Sequence, residues 1–170
     1  GFVVADLAAL VREAALRACR DLEARPQGDI HQLDTYFRVP EGRLKLREAR
    51  PGRTELVFYR RPNVFGPKGC DYLLAPAEPS IKPLLIGALG VLAIVEKTRT
   101  LYLWENVRIH LDRVTDLGEF IEFEAVLSEE YDEDDGRRKL EPLIEAFELR
   151  PEDLFDGSYL DMKRAAKDAS

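Results

Sequence analysis

Four extended segments carry charges two residues apart: Lys45 with Arg47, Lys97 with Arg99, Arg108 with His110 and Asp112, and Glu122 with Glu124. In a strand, residues i and i+2 share a face, so each segment presents its charges together. The residues between them are apolar, among them Leu44, Leu46, Ile109, Leu111, Ile121 and Phe123. Like charges side by side on one strand face are costly unless opposite charge sits nearby. The expectation is that these faces line one site, with cations for a polyanion and carboxylates for the metal that accompanies it.

The basic set is Lys45, Arg47, Arg60, Lys97, Arg99 and Arg108, with Arg43 and Arg61 at its margin. Guanidinium forks suit phosphate oxygens, and lysine adds a compact point charge. Lys97 and Arg99, with Glu122 and Glu124, are the candidate catalytic groups. Asp112, Glu122 and Glu124 form a candidate ligand set for Mg²⁺ or Mn²⁺, hard cations that favour oxygen. Asp112 reaches the glutamates if its strand is their antiparallel neighbour across the turn at 116–118. The run of acids at 129–135 reads as a solvated loop. His110, on the face of Arg108 and Asp112, is placed for phosphate contact, proton transfer or a structural role. Tyr36, Tyr59, Tyr102 and Trp104 read as core aromatics. The competing account, polar faces of ordinary antiparallel strands, fits any one segment. It fits the ensemble less well, because cations fill three strands and carboxylates the last.

The elements that position these residues follow from periodicity. Apolar residues from Leu7 to Leu22 recur at three- and four-residue steps, which predicts an amphipathic helix from Asp6, its N-cap, to about Glu23. Strands are predicted at 29–39, 43–49 and 53–61, joined by turns at Glu41-Gly42 and Pro51-Gly52. Residues 62–83 read as a loop, and 80–89 as a helix capped by Ser80 and stopped by Gly90. Three more strands are predicted at 91–104, 105–115 and 118–127, then helices at 137–149 and after Pro151. Antiparallel strands with inserted helices give an α+β fold whose sheet curls towards a barrel.

A chain of 170 residues, 45% apolar and 34% charged, accommodates one domain, taken as 1–170. Its formal charge of −7 argues against nucleic acid or an anionic membrane as partner. The expected partner is a small polyanion, and a homodimer is a permitted assembly. Cys19 and Cys70 have no metal-ligand spacing, and the apolar run around 84–95 is too short to span a bilayer. No basic leader opens the chain, so a cytoplasmic location is expected.

The segments QLDTYFRVPEGRLKLRE, ELVFYRRP, VEKTRTLYLWENVRIHLDRVTDLGEFIEFEAVL and GSYLDM, in this order and spacing, resemble the CYTH superfamily, which contains class IV adenylate cyclases and thiamine triphosphatases. The resemblance covers roughly residues 30–162. It implies an eight-stranded antiparallel β-barrel, the triphosphate tunnel fold, with flanking helices and a polar interior that binds a triphosphate with divalent metal. It places the family's inward basic residues on Lys45, Arg47, Arg60, Lys97, Arg99 and Arg108, and its acidic residues near metal on Asp112, Glu122 and Glu124. It assigns Asp34 and Tyr36 to the framework. The family's opening ExExK strand has no counterpart: Phe2–Val4 reads as its tail, so the first strand is expected to be incomplete, by truncation or by degeneration. The implied activity is metal-dependent hydrolysis of inorganic, thiamine or nucleoside triphosphate. The alternatives are a class IV adenylate cyclase making cyclic AMP and pyrophosphate from ATP, and a non-catalytic polyphosphate- or nucleotide-binding module.

Overall fold

The structure, a computed structural model, describes residues 2–4, 7–9, 12–60, 68–69, 71–150, 153–155 and 157–168. In chain order the elements are β1 (Phe2–Val4), β2 (Leu7–Ala9), α1 (Arg12–Asp21), β3 (Arg25–Phe37), β4 (Arg43–Arg50), β5 (Thr54–Arg60), β6 (Lys68–Gly69), β7 (Asp71–Pro76), α2 (Ile81–Leu89), β8 (Val91–Trp104), β9 (Val107–Val114), β10 (Gly118–Val126), α3 (Glu133–Ala146), β11 (Leu154–Phe155) and α4 (Tyr159–Asp168). All strand pairings among the described residues are antiparallel, and hairpins join β3 to β4, β4 to β5, β8 to β9 and β9 to β10.

Seven long strands run in the order β10-β9-β8-β3-β4-β5-β7, extended beyond β10 by the short β2 and β11. This corrects the expected closed barrel of eight strands: the described sheet is an unclosed one of seven long strands. A closed cylinder needs a full-length ribbon between β10 and β7. There, the three-residue β1 pairs with β10 and meets the two-residue β6 only through Val3 and Val4.

Alternation along the strands makes two faces. Ile109 and Leu111 of β9 and Ile121, Phe123 and Ala125 of β10 face α1 and α3, where they pack with Ala15, Ala18, Cys19, Leu140, Leu143 and Phe147. Burial pushes the Cys19 thiol up to about 11, the behaviour of an inert core cysteine. Tyr102 and Trp104 join this core as expected. Further along, α2 covers Phe37 and Leu46 through Leu85. The opposite face carries the charges, and α4 closes one end of it by packing Tyr159 and Leu160 against Tyr36, Val95, Val114 and Phe120.

Several local expectations change. The first helix begins at Arg12, and Leu7–Ala9 is instead the strand β2, paired with β10 and β11. The short apolar run fits either period, and sheet edges claim it. Asp6, Arg61 and Cys70 lie outside the described residues. The predicted loop at 62–83 contains β7, paired with β5 along its length. The acidic loop ends early because Asp132 and Asp135 form a reciprocal capping box that starts α3. Ser80 occupies the cap position of α2 without a side-chain cap, and Gly90, at φ 70°, ends that helix. The turn at Glu41-Gly42 needs its glycine: φ is 68°, and a Cβ there would lie 2.7 Å from the Phe58 ring. No helix among the described residues is long and apolar enough to cross a membrane.

Candidate functional site

Register decides which charges meet. Pairing of β3 with β4 sets Asp34 opposite Arg47 and Tyr36 opposite Lys45. Arg47 grips Asp34 with two parallel bonds, Nε to Oδ1 and Nη2 to Oδ2, both 2.8 Å. Lys45 Nζ donates to Asp34 Oδ2 at 2.7 Å and to the Tyr36 hydroxyl at 3.3 Å, and lies 5.8 Å from the Tyr59 ring centroid. On the other side of β3, pairing of β8 with β9 sets Arg99 opposite Asp112. Asp112, with 0% exposure, accepts from Arg99 Nε at 2.7 Å and Nη2 at 2.6 Å, from Lys97 Nζ at 3.0 Å, and from the Tyr159 hydroxyl at 2.9 Å.

A third tier sits at β10, where Glu122 faces His110 and Glu124 faces Arg108. Glu122 Oε2 accepts from Arg99 Nη2 at 2.9 Å and lies 3.1 Å from His110 Nδ1. Glu124 Oε1 accepts from Arg108 Nη1 at 2.8 Å, and its Oε2 lies 3.6 Å from His110 Nε2. Arg43, on the face of Lys45 and Arg47, bonds Ser158 Oγ and both oxygens of Asp161, which anchors the start of α4.

The electrostatics follow from burial against these partners. Burial pushes the Asp34 carboxyl up, but Arg47 and Lys45 outweigh it and hold it far below the carboxylate range. Asp112 behaves alike under Arg99 and Lys97, and Glu122 under His110 and Arg99. Burial and the neighbouring Arg47 bring Lys45 down to about 7, with Asp34 only partly opposing them. Lys97 is lowered by burial and by Arg99. His110 is lowered by burial and by Arg99, so the ring is neutral near pH 7 despite its two glutamates.

Lys45, Arg47, Lys97, Arg99, Arg108, Asp112, Glu122 and Glu124 thus share one face. Three features differ from expectation. Signs do segregate largely by strand, with cations on β4 and β8 and glutamates on β10, but each cation of this group is paired with a carboxylate on a neighbouring strand. Arg60 is not brought to this face, because β5 turns Val57 and Tyr59 towards it, and Arg60 lies instead near the Phe58 ring and pairs with Glu41 in solvent. Asp112 is not brought into a metal-ligand cluster with the glutamates: its oxygens are taken by four donor contacts, and no trio of His, Cys, Asp or Glu able to hold a metal occurs among the described residues. Tyr36 and Tyr59 are buried as expected, Tyr36 in the cluster under α4, and both also lie beside Lys45 on the charged face.

Two participants were not visible in the sequence. Asp34, which the resemblance assigns to the framework and not to the site, is the hub of the Lys45 and Arg47 pairs, and the residue-level signal for it is shared parity with Tyr36 on a strand next to the basic one. Tyr159 reaches Asp112 from 47 residues away, which no local pattern encodes.

Comparisons place this geometry among known folds. The PH1012 protein of Pyrococcus horikoshii OT3 superposes with a TM-score of 0.81 at 21% identity, covering 94% of this chain and 98% of that one. A Vibrio parahaemolyticus protein provisionally named an adenylate cyclase gives 0.76 at 20% identity, covering 96% and 98%. A Hippeastrum protein provisionally named an adenylyl cyclase, with a dominant triphosphatase activity, gives 0.70 at 13% identity, covering 98% and 96%. At these identities the likeness is one of fold. Among curated proteins none matches. The CYTH domain pattern, however, matches residues 8–159, which spans both halves of the charged face, and the chain belongs to the CYTH family.

Proposed function

We propose that the chain, as a single CYTH unit, binds a triphosphate on the charged face and hydrolyses it with the help of a divalent cation. The observation that carries this reading is the convergence of Lys45, Arg47, Lys97 and Arg99, from strands on both sides of β3, on one largely buried face. Guanidinium and ammonium groups held without water are worth more to phosphoryl oxygens than the same groups in solvent. The dominant triphosphatase activity of the Hippeastrum neighbour favours hydrolysis.

Charge balance bears on the metal. At the centre of the face five cations, Lys45, Arg47, Lys97, Arg99 and Arg108, stand against four carboxylates, Asp34, Asp112, Glu122 and Glu124, while Arg43 is answered by Asp161 and Glu55, opposite Arg47, by Arg53. A triphosphate brings about four negative charges, most of them beyond the reach of one spare cation. Glu122 and Glu124, adjacent and half-buried, fit a hydrated ion such as Mg²⁺ or Mn²⁺ that takes one or two carboxylates and completes its shell with substrate, whereas the consumed Asp112 does not. Such an ion supplies charge neutralisation at the phosphoryl oxygens.

The chain's own residues do the rest. Lys97 and Arg99 on one side, and Lys45 and Arg47 on the other, grip the polyphosphate and offset charge gathering on the transferring group. Neutral His110, between Glu122 and Glu124, is a base beside that group. Water adds to the terminal phosphorus, the bond to the bridging oxygen breaks, and pyrophosphate or a diphosphate leaves with orthophosphate.

The test is to incubate the protein with inorganic triphosphate, thiamine triphosphate and ATP, with Mg²⁺ or Mn²⁺, and to measure phosphate and cyclic AMP. Phosphate release is expected, lost in the Glu122→Gln/Glu124→Gln variant while its circular dichroism stays native. Cyclic AMP instead of phosphate would overturn hydrolysis in favour of cyclisation. Tight binding with neither product would make the chain a capture module, a reading favoured by the saturated state of its cations.

A further inference from the structure

Gln32 stands between the two cation sets. It lies on β3 two residues before Asp34, on the same face, and its cross-strand partner on β8 is Lys97. One neighbouring strand therefore holds Lys97 and Arg99, and the other holds Lys45 and Arg47. The side chain is 93% buried, with 7% exposure, yet Oε1 has no hydrogen-bond partner. A buried carboxamide oxygen without a partner is rare in a finished interior. The charged neighbours on this face are spoken for: Asp34 by Lys45 and Arg47, and Asp112 by Lys97, Arg99 and Tyr159. The neutral amide is held ready beside Lys97 on β8, with Ala49, two residues from Arg47, opposite it on β4.

Resting on the triphosphate reading above, we propose that Gln32 contacts the central phosphoryl group of a bound triphosphate and sets the site's preference for triphosphate over pyrophosphate. A polyphosphate long enough to engage both cation sets must cross β3, whose polar residues on this face include Gln32, Asp34 and Tyr36; Asp34 is already held by Lys45 and Arg47 and Tyr36 by Lys45, which leaves the carboxamide to meet the ligand. An amide suits that position on three counts. Its nitrogen donates to a phosphoryl oxygen, its oxygen accepts from water carried with the ligand, and half a turn about its last bond exchanges the two without changing shape. A cation there would hold shorter anions as well, and a carboxylate would repel all of them. A shorter ligand satisfied by one cation set does not reach across, so the amide discriminates by length.

The experiment is isothermal titration of the whole protein with inorganic triphosphate and with pyrophosphate, for the wild type, Gln32→Met and Lys97→Ala. The methionine variant keeps length and volume and removes both polar ends. For Gln32→Met the expected result is a loss in triphosphate affinity of about tenfold or more, the scale of a hydrogen bond to a charged group, with pyrophosphate changed less than about twofold. Lys97→Ala is expected to weaken both ligands. Equal losses for the two ligands, or no loss, in Gln32→Met would overturn the assignment while wild-type binding kept the triphosphate reading intact. Unfolding of this near-isosteric variant would overturn it too, by giving the amide to the fold. A wild type that binds neither ligand would sink the underlying reading and this one together.

Discussion

Asp112 and Glu124 are both carboxylates gripped by arginine, and both project from neighbouring strands onto the same face, yet their surroundings divide them. Asp112 is sealed, with two cations and a tyrosine hydroxyl on it. Glu124 is 18% exposed at its side chain, and its arginine is 42% exposed. An ion pair in the interior is held together by the cost of leaving either charge alone, whereas one near water trades partners cheaply. The inner set is thus part of the framework that aims Lys97 and Arg99. The outer set is the part free to exchange protein contacts for those of a ligand or an ion.

The largest effect that would test this contrast is on stability. Asp112→Asn leaves Lys97 and Arg99 buried without their counter-charge and is expected to cost about 3–5 kcal/mol in urea unfolding, against less than about 1 kcal/mol for Glu124→Gln. Equal losses would erase the distinction between the two sets. A smaller effect lies in pH. Lys45, with its proton held only to about 7 in the fold, should lose triphosphate affinity as pH rises through 7, by at most about tenfold per unit, and Lys45→Arg should remove that dependence. Stability must move the other way: above pH 7 the unfolded lysine keeps its proton and the folded one does not, so the unfolded chain binds more protons and stability rises with pH up to the ordinary lysine range. Affinity and stability that both stay flat through pH 7 would mean that Lys45 titrates normally. The smallest effect is at Arg60, where alanine should leave both triphosphate affinity and stability unchanged, the latter within about 0.5 kcal/mol. A clear loss of affinity would return Arg60 to the site.

The charged segments were legible because strand parity is written in spacing: Lys45 with Arg47, and Glu122 with Glu124, need only the period of two. What spacing does not carry is which strands lie side by side. Asp34 looks like a framework residue until register sets it against Arg47, and Tyr159 has meaning only once α4 folds back onto β9. Arg60 shows the complement: its basic character and the resemblance put it in the set, while its parity, opposite to that of Tyr59, turns it to the other face. Glycine and proline hid β7, whose pairing with β5 outweighs local punctuation. The closed barrel failed for a related reason: antiparallel pattern predicts pairing, and closure depends on what fills the last gap.

β9 is enclosed on both sides. Ile109 and Leu111 lie in hydrocarbon under α1 and α3, and His110 and Asp112 lie among ions a single residue away. The strand is therefore a rigid partition between an oily chamber and a saline one, and neither can be reshaped alone. Trimming a methyl group beneath the helices would tilt the partition and carry the carboxylate of Asp112 with it. Affinity in such a molecule can be tuned from the greasy side, by residues that never meet an anion.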